Sequence, residues 1–576
     1  MPVPVPPAPA PGPVRKDLQV SHPTPRRWFA WCRRHTRIGR GVSFGTTVLA
    51  AVLVLGALLL PDRPDHLDPA AFVRLPAEGI VLAALLLVLP YRARRAVAVA
   101  AGVLIGLLIL LKCLDIGFYS VLFRPFDLVL DWGLLGNAAD YLRETSGRAG
   151  ELAAIAGAVL LGVAVLVLTT GATVRLAALL VRHRTRSVHG ILLLGTAWGT
   201  CVVLGLHSAG RPVAATLDAD LLGDHARQVR TSLADARLFG QQAAVDAFAR
   251  TPPGRLLTAL RGKDVLFTFV ESYGRSAIED PAMAPRIDAV LKESTAAVRA
   301  AGFEARSGWL RSPVTGGGSW LAHSTFLSGL WISNQQRFRS LTSSDRTTLT
   351  GAFRRTGAWR TVGVVPGVLA AWPEGRFFGL DHIYDGRHLG YHGPDFGWSQ
   401  VPDQFTLDAF RDKEFARRGR GPLMAEIILT SSHYPWAPVP RLVDWAKLGD
   451  GSVFQPIRRA GRSQEEVWSS PESVRAEYRS SIEYSLHSLV GFLQRYGDRN
   501  TVLVFLGDHQ PVPTVTGNSP RKDVPVSIVA YDPEVLDRIS GWGWTRGLKP
   551  AADAPVWPMD SFRDRFLKAY GPRPGR

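Results

Sequence analysis

The chain has 576 residues, a formal charge of +18 and 46% apolar residues. That length exceeds one ordinary core, so two or more units are expected. Much of the basic excess stands beside long apolar runs, which fits membrane topology and argues against a nucleic-acid partner. Cysteine is confined to Cys32, Cys113 and Cys201, so the C-terminal part has neither disulfides nor a thiolate metal site.

The opening MPVPVPPAPAPGPV is Pro-rich and predicts a disordered tail over residues 1–40, with polyproline II character. It is not a signal peptide, because the first apolar run comes too late. Gly41–Leu60 is 20 residues without a charge, long enough to cross the hydrocarbon core. Leu152–Val174 is a second clear span, and Leu75–Pro90, Ala96–Leu111 and Ile191–Leu206 are three shorter ones. Together they predict a five-span membrane domain over residues 41–207. Glu78, inside the second run, must snorkel or face protein.

The loops set the orientation. Arg33, Arg34, Arg37 and Arg40 precede the first run. Arg92, Arg94 and Arg95 lie between the second and third, and Arg175, Arg182, Arg184 and Arg186 between the fourth and fifth. Positive charge thus alternates with crossing number, which puts the amino end in the cytoplasm and everything after Leu206 outside. The competing arrangement, four spans and one buried amphipathic segment, puts the large domain inside, against the arginine pattern. Phe118–Gly147 reads as an external loop or interfacial segment. Residues 208–262 read as a juxtamembrane helical linker.

From Lys263 onward, short apolar runs alternate with helical stretches. Asp264–Val270, Trp359–Val365, Met424–Leu429, Thr501–Leu506 and Val524–Tyr531 read as buried strands, and Ala476–Tyr496 as a helix. Such alternation predicts an α/β sandwich with a largely parallel sheet over residues 263–576. Ligands bind such sheets beyond the carboxyl ends of the strands. There the sequence places Glu271-Ser272, then Ser431-Ser432-His433, then Asp508-His509. Each alone fits an ordinary loop. Three on one sheet edge form a hard-to-borderline metal site of carboxylates and imidazole. The stretch SPVTGGGSWLAHSTFLSGL adds a hydroxyl: Ser319 follows three glycines, Gly316–Gly318, at a helix start. Free N–H groups there favour an anion, and a bound divalent metal lowers the hydroxyl pKa. The plain alternative is a flexible turn with Ser319 as its N-cap.

These motifs resemble the alkaline phosphatase superfamily, in its membrane-embedded, sulfatase-like branch, and within that the lipoteichoic acid synthase type of phosphoglycerol transferase and its phosphoethanolamine transferase relatives. The resemblance implies an alkaline phosphatase/sulfatase-like fold for the C-terminal α/β domain. It implies one divalent metal, Mn2+ first with Mg2+ and Zn2+ as alternatives, held by Glu271 in FVES, Ser319 in GGGS and Asp508-His509 in GDHQP. It implies Ser319 as the nucleophile, with Thr315 and then Ser324 as alternatives because the family more often uses Thr. His433 in SSHYPW corresponds to a head-group contact, Trp372 in AAWPEGRFFGLDHIYDG to a substrate-facing Trp with Arg376 nearby, and FGWSQVPDQF to the stretch closing that loop. Glu374 stands where the family commonly has Arg. His323 has no counterpart, and reads either as assisting a leaving group or as an ordinary helix residue. A sulfatase motif of the form C/S-x-P-x-R is missing, since Trp-Leu-Ala-His follows Ser319.

The implied reaction moves the head group of a membrane phospholipid donor, phosphatidylglycerol or phosphatidylethanolamine, through a covalent Ser319 intermediate to an envelope glycan or lipid acceptor. The rival readings are a phosphodiester or sulfate ester hydrolase of the same fold, a non-catalytic envelope-binding membrane protein, and a transporter. Scarce charge in the spans argues against the last.

Overall fold

The computed structural model describes residues 36–573, apart from 123, 209–210, 370–371, 373, 518 and 520. Most of the expected Pro-rich tail lies outside the described residues. Each apolar run folds as a helix, since a backbone without water must satisfy its own hydrogen bonds. These are α1 (Thr36–Leu59), α2 (Ala77–Val88), α3 (Tyr91–Leu122), α4 (Trp132–Arg182) and α5 (Arg184–Val203). Among the described residues, three stretches are long and apolar enough to cross a membrane: Gly41–Leu59, Tyr91–Ser120 and Ser146–Arg182. Helix α2 is apolar but has only 12 residues. Glu78 faces protein. Its Oε1 accepts from the backbone N–H groups of Asp218 and Ala219, both at 3.2 Å, in the first turn of α6 (Leu217–Ala244). A carboxylate there offsets the helix dipole. Lys112 of α3, itself buried, pairs with Asp218 at 2.6 Å.

The expected loop over Phe118–Gly147 is largely helical. Helix α3 continues to Leu122 and α4 begins at Trp132, breaking at Gly147 where φ is 70°. Between them Phe126 is wedged edge-on between the rings of Phe118 and Trp132, at 5.0 and 5.2 Å. Arg124 grips Asp131 with two bonds, of 2.6 and 2.7 Å. Two paired ends and a shared aromatic contact favour order where the sequence suggests a loop.

By its contacts the chain forms two units, one from residues up to 116 and 142–223, the other from 117–141 and 224–576. In the second unit the strands are β1 (Asp264–Val270), β2 (Glu304–Arg311), β3 (Arg360–Val365), β4 (His382–Asp385), β5 (Leu423–Leu429), β6 (Thr501–Gly507), β7 (Asp523–Ala530), β8 (Thr545–Arg546) and β9 (Val556–Pro558). They form one sheet in the order β8-β2-β7-β6-β1-β5-β3-β4, with β9 also on β2. The run from β6 through β1, β5 and β3 to β4 is parallel, while β7 is antiparallel to both β6 and β2. The sheet is therefore mixed and mostly parallel.

Both faces are covered, which is why the central strands read as unbroken apolar runs. Leu266, Val270, Leu503 and Phe505 face one core with Ile287 of α7 (Ala284–Ala300) and with Tyr478 and Ile482 of α10 (Pro471–Tyr496). Val265, Phe267, Phe269, Val504 and Leu506 face the other, with Phe326 of α8 (Ser319–Ser328) and with Phe562 and Phe566 of α11 (Ser561–Ala569). A further helix, α9 (Asp403–Phe410), is buried along its whole length. Strand register sets the outcome at the sheet's rim. Gly507 pairs with Val270, and Val270 with Leu429. Hence the residues that follow β1, β5 and β6 emerge side by side.

Candidate metal centre

Glu271, Asp508 and His509 are buried, and each offers a ligand atom within 4.8 Å of the others. Two close approaches of backbone bring them together. A Cβ on Gly507 would stand 1.8 Å from the carbonyl oxygen of Tyr273, and one on Gly274 would stand 1.9 Å from the Gln510 side chain. Only glycine lets the exits of β6 and β1 touch. Between them Ser272 adopts a left-handed φ of 54°, a conformation that costs a non-glycine residue free energy and concentrates at functional sites. Its neighbours hold it there. The Ser272 N–H donates to Asp508 Oδ1 at 2.8 Å, its hydroxyl donates to Glu271 Oε1 at 2.8 Å, and its carbonyl accepts from the Tyr478 hydroxyl at 2.8 Å.

Asp508 is oriented by its own strand end. Oδ1 takes the N–H groups of Ser272 and His509, at 2.8 and 2.7 Å. Oδ2 is left fully buried with no hydrogen-bond partner among the described residues. His509 donates Nδ1–H to the Gln510 carbonyl at 2.8 Å, the arrangement that presents the Nε2 lone pair for ligation. That Nε2 lies 3.3 Å from Glu271 Oε1 and 3.6 Å from Asp508 Oδ2.

Ser319 completes the group. Gly316 and Gly318 take positive φ, 74° and 81°, and deliver Ser319 as the first residue of α8. Its hydroxyl donates to Glu271 Oε2 at 2.8 Å and lies 3.1 Å from His509 Nε2. Burial opposes charge on Glu271, but the His509 and His433 imidazoles hold its carboxyl well below the usual range. Burial likewise opposes a charged His509, yet Asp508 and Glu271 outweigh it and push its pKa up to about 9. The set fits a divalent cation. Two carboxylates, one imidazole nitrogen and one hydroxyl are hard-to-borderline donors, and an orphaned buried carboxylate oxygen calls for a positive partner.

The other sequence candidates fall into two groups. His323, one turn into α8, is 7% exposed. Its ring lies on Phe269, centroids 4.1 Å apart, and Nε2 is 3.7 Å from Asp508 Oδ2. His433 stands just past β5, its ring stacked on Trp398 at 3.8 Å. Asp403 anchors that turn. It accepts from the Ser431 N–H at 2.9 Å and the Ser485 hydroxyl at 2.5 Å, and its own N–H donates to Ser431 Oγ at 2.9 Å. Burial raises the Asp403 pKa to about 6. Ser432 Oγ donates to the Glu271 carbonyl at 2.5 Å, joining this turn to the end of β1.

Trp372 and Arg376 are not brought to this cluster. Trp372 stacks on Phe378 at 5.5 Å and packs on the core under α8, while Arg376 lines a separate cavity with Arg346, Arg354 and Arg355. Trp398, in the FGWSQ stretch, is the aromatic at His433. Its signal in the sequence is a large ring beside a glycine in a polar loop. Of the alternative nucleophiles, Thr315 forms a backbone bridge with Gln510, and Ser324 spends its hydroxyl on the Trp320 carbonyl at 2.6 Å.

No protein-family model and no curated protein matches the sequence. Solved structures do. The lipoteichoic acid synthase LtaP from Listeria monocytogenes is 14% identical over 59% of this chain and 79% of its own, with a TM-score of 0.38. The Streptococcus pyogenes phosphoglycerol transferase GacH, in complex with sn-glycerol-1-phosphate, is 12% identical over 58% and 80%, with a TM-score of 0.35. The periplasmic domain of EcEptC from Escherichia coli, in complex with Zn, is 11% identical over 54% and 83%, with a TM-score of 0.35. The C-terminal half of this chain is thus similar in structure to LtaP, GacH, EptC and a Vibrio parahaemolyticus protein of the alkaline phosphatase superfamily.

Proposed function

We propose that this protein is a membrane-anchored, metal-dependent transferase that moves a phospho-head group from a phospholipid to a hydroxyl of an envelope glycan or lipid. The observation that carries the reading is the Ser319 hydroxyl, bonded to Glu271 and His509 at the start of a helix, beside the unpaired Asp508 oxygen. The arginine pattern of the membrane region supports five crossings, a cytoplasmic amino end and an external catalytic domain.

Glu271, Asp508, His509 and Ser319 would hold the divalent cation, whose chemistry is to stabilise the deprotonated hydroxyl and the phosphoryl charge. Glu271 orients the hydroxyl and accepts its hydrogen bond. Ser319 passes its proton to Glu271; attack forms the Ser319 Oγ–P bond and breaks the bond from phosphorus to the diacylglycerol oxygen, which leaves with a proton from His433. In the second step the acceptor oxygen bonds phosphorus, its proton passes to His433, and Ser319 leaves and takes its proton back from Glu271. The positive end of the α8 dipole, where Ser319 stands, favours an anionic phosphoryl group there.

The test is mass spectrometry of the purified full chain after incubation with isotope-labelled phosphatidylglycerol or phosphatidylethanolamine and Mn2+. A head-group adduct on Ser319, absent in Ser319→Ala, is expected. An unmodified Ser319 under turnover with either lipid overturns the reading. Release of free head group in place of a modified acceptor would make water the acceptor and the protein a phosphodiesterase.

A further inference from the structure

At the rim of the sheet, Val365 of β3 pairs with Asp385 of β4, and Val364 with Ile427 of β5. The loops that follow these three strands therefore open side by side, and β5 in turn adjoins β1, which leads into Glu271. Trp398 stands among them on a braced turn. The Phe396 N–H donates to the Ser399 carbonyl at 2.9 Å, Gly397 takes a φ of 64°, and the buried Ser399 hydroxyl lies 2.9 Å from that of Thr430. His433 stacks on the indole at an angle of 19°. Gly367 leaves the ring its room, since a Cβ there would stand 2.9 Å from it. With its orientation fixed in this way, Trp398 is still 47% exposed, and Tyr434, the neighbour of His433, is 40% exposed. Two large rings are thus held in water beside the imidazole that handles the proton in the proposed reaction, and an exposed aromatic patch of that kind marks a place where something docks.

The neighbouring groups are polar. At the exit of β4, Asp385 takes both Arg387 Nη2 and His388 Nδ1 at 2.7 Å, and the side chains of that arginine and histidine are largely exposed. An acyl chain needs an apolar trough, which a carboxylate, a guanidinium and an imidazole do not provide. A sugar ring suits both features. Its C–H face carries partial positive charge toward the electron-rich face of an indole, and the hydroxyls at its edge can donate to and accept from polar side chains. We infer that Trp398, with Tyr434 beside it, is the platform of a sugar subsite, and that the phospho-head group passes to a hydroxyl of a sugar ring stacked there. The second half of this inference rests on the transferase reading. A ring lying on Trp398 has its hydroxyls next to His433, which takes the acceptor's proton in the second step. An open polyol has no flat face to stack, so the platform selects a cyclic acceptor.

The experiment uses the full chain with Ser319→Ala, which stops turnover, in phosphatidylcholine nanodiscs, which carry no sugar. Cellohexaose, arabinohexaose and chitohexaose are added singly and present a pyranose, a furanose and an N-acetylated pyranose. Calorimetry measures affinity, and saturation-transfer NMR shows which sugar protons meet the protein. Saturable binding of at least one of them is expected, with the strongest transfer at ring C–H protons. Trp398→Ala should weaken that binding about tenfold or more, while Trp398→Phe, which keeps a flat ring, should retain most of it. No saturable binding of any of the sugars, or equal affinity in Trp398→Ala, overturns the proposal. Equal losses in Trp398→Ala and Trp398→Phe overturn it too, since stacking then plays no part. The Ser319 adduct, measured on the natural chain, reports separately on the proposed function. An adduct without sugar binding sinks the subsite alone, and sugar binding without an adduct sinks the transferase reading and leaves a glycan-binding platform.

Discussion

In the proposed reaction Asp508 Oδ2 and Ser319 Oγ set the chemistry of the centre, and each can be removed singly. Ser319→Ala should lower head-group transfer by about a thousandfold or more while leaving metal binding largely in place, as expected when a covalent nucleophile is lost. Asp508→Asn should weaken metal binding by about a hundredfold or more, measured by calorimetry. His509 carries a pH consequence. Its pKa stands at about 9 with no cation present, above the unfolded value of 6.5. The stabilisation from the charged imidazole is therefore full below pH 6.5 and is lost as pH rises through 9. A cation needs the neutral ring, so it competes with this proton. Apparent metal affinity should climb with pH up to about 9, with proton release on binding; a flat profile between pH 7 and 9 would show that His509 does not ligate.

At the scale of elements, the central strands were legible because burial on both faces leaves an unbroken apolar run, as in Val502–Leu506. Glu271 and Asp508-His509 were legible because each interrupts such a run at its exit. Strand β2, EARSGWLR, was not. Its charged ends and half-exposed Arg306 hide a strand whose middle is buried. Strand β4 has only four residues, too few for any period. The pairing of Trp398 with His433 depends on two loops meeting, which no local pattern encodes. Meeting strand ends also make Gly507 intolerant. Gly507→Ala should destabilise the unit that carries the sheet by about 3 kcal/mol or more, read from urea midpoints, because the added methyl meets backbone rather than a movable side chain. Strand β5 buries Glu426, whose pKa burial pushes up to about 7, with His323 opposing. The unfolded chain gives up this proton from about pH 4.5, the folded one near 7. Stability should fall across that window by up to about 3 kcal/mol, and Glu426→Gln should flatten the fall.

For the molecule as a whole, the long apolar helices and the unit that carries the sheet make separate demands. Reporter fusions test the orientation: a C-terminal enzyme reporter that works only outside the cell should be active, and a fluorescent protein that fails to fold there should stay dark. The reverse pattern would leave the external placement untenable. The outer edge of β2 is covered twice over, by β8 along Arg306–Ser307 and by β9 along Trp309–Arg311. Together these two short strands occupy backbone groups that would otherwise be open to any passing strand. The last thirty or so residues are thus a seam that keeps copies of the protein from zipping onto one another. Loosening it with Val556→Pro, which removes a backbone N–H from β9 and keeps Trp557 under Arg565 of α11, should bring concentration-dependent self-association in light scattering.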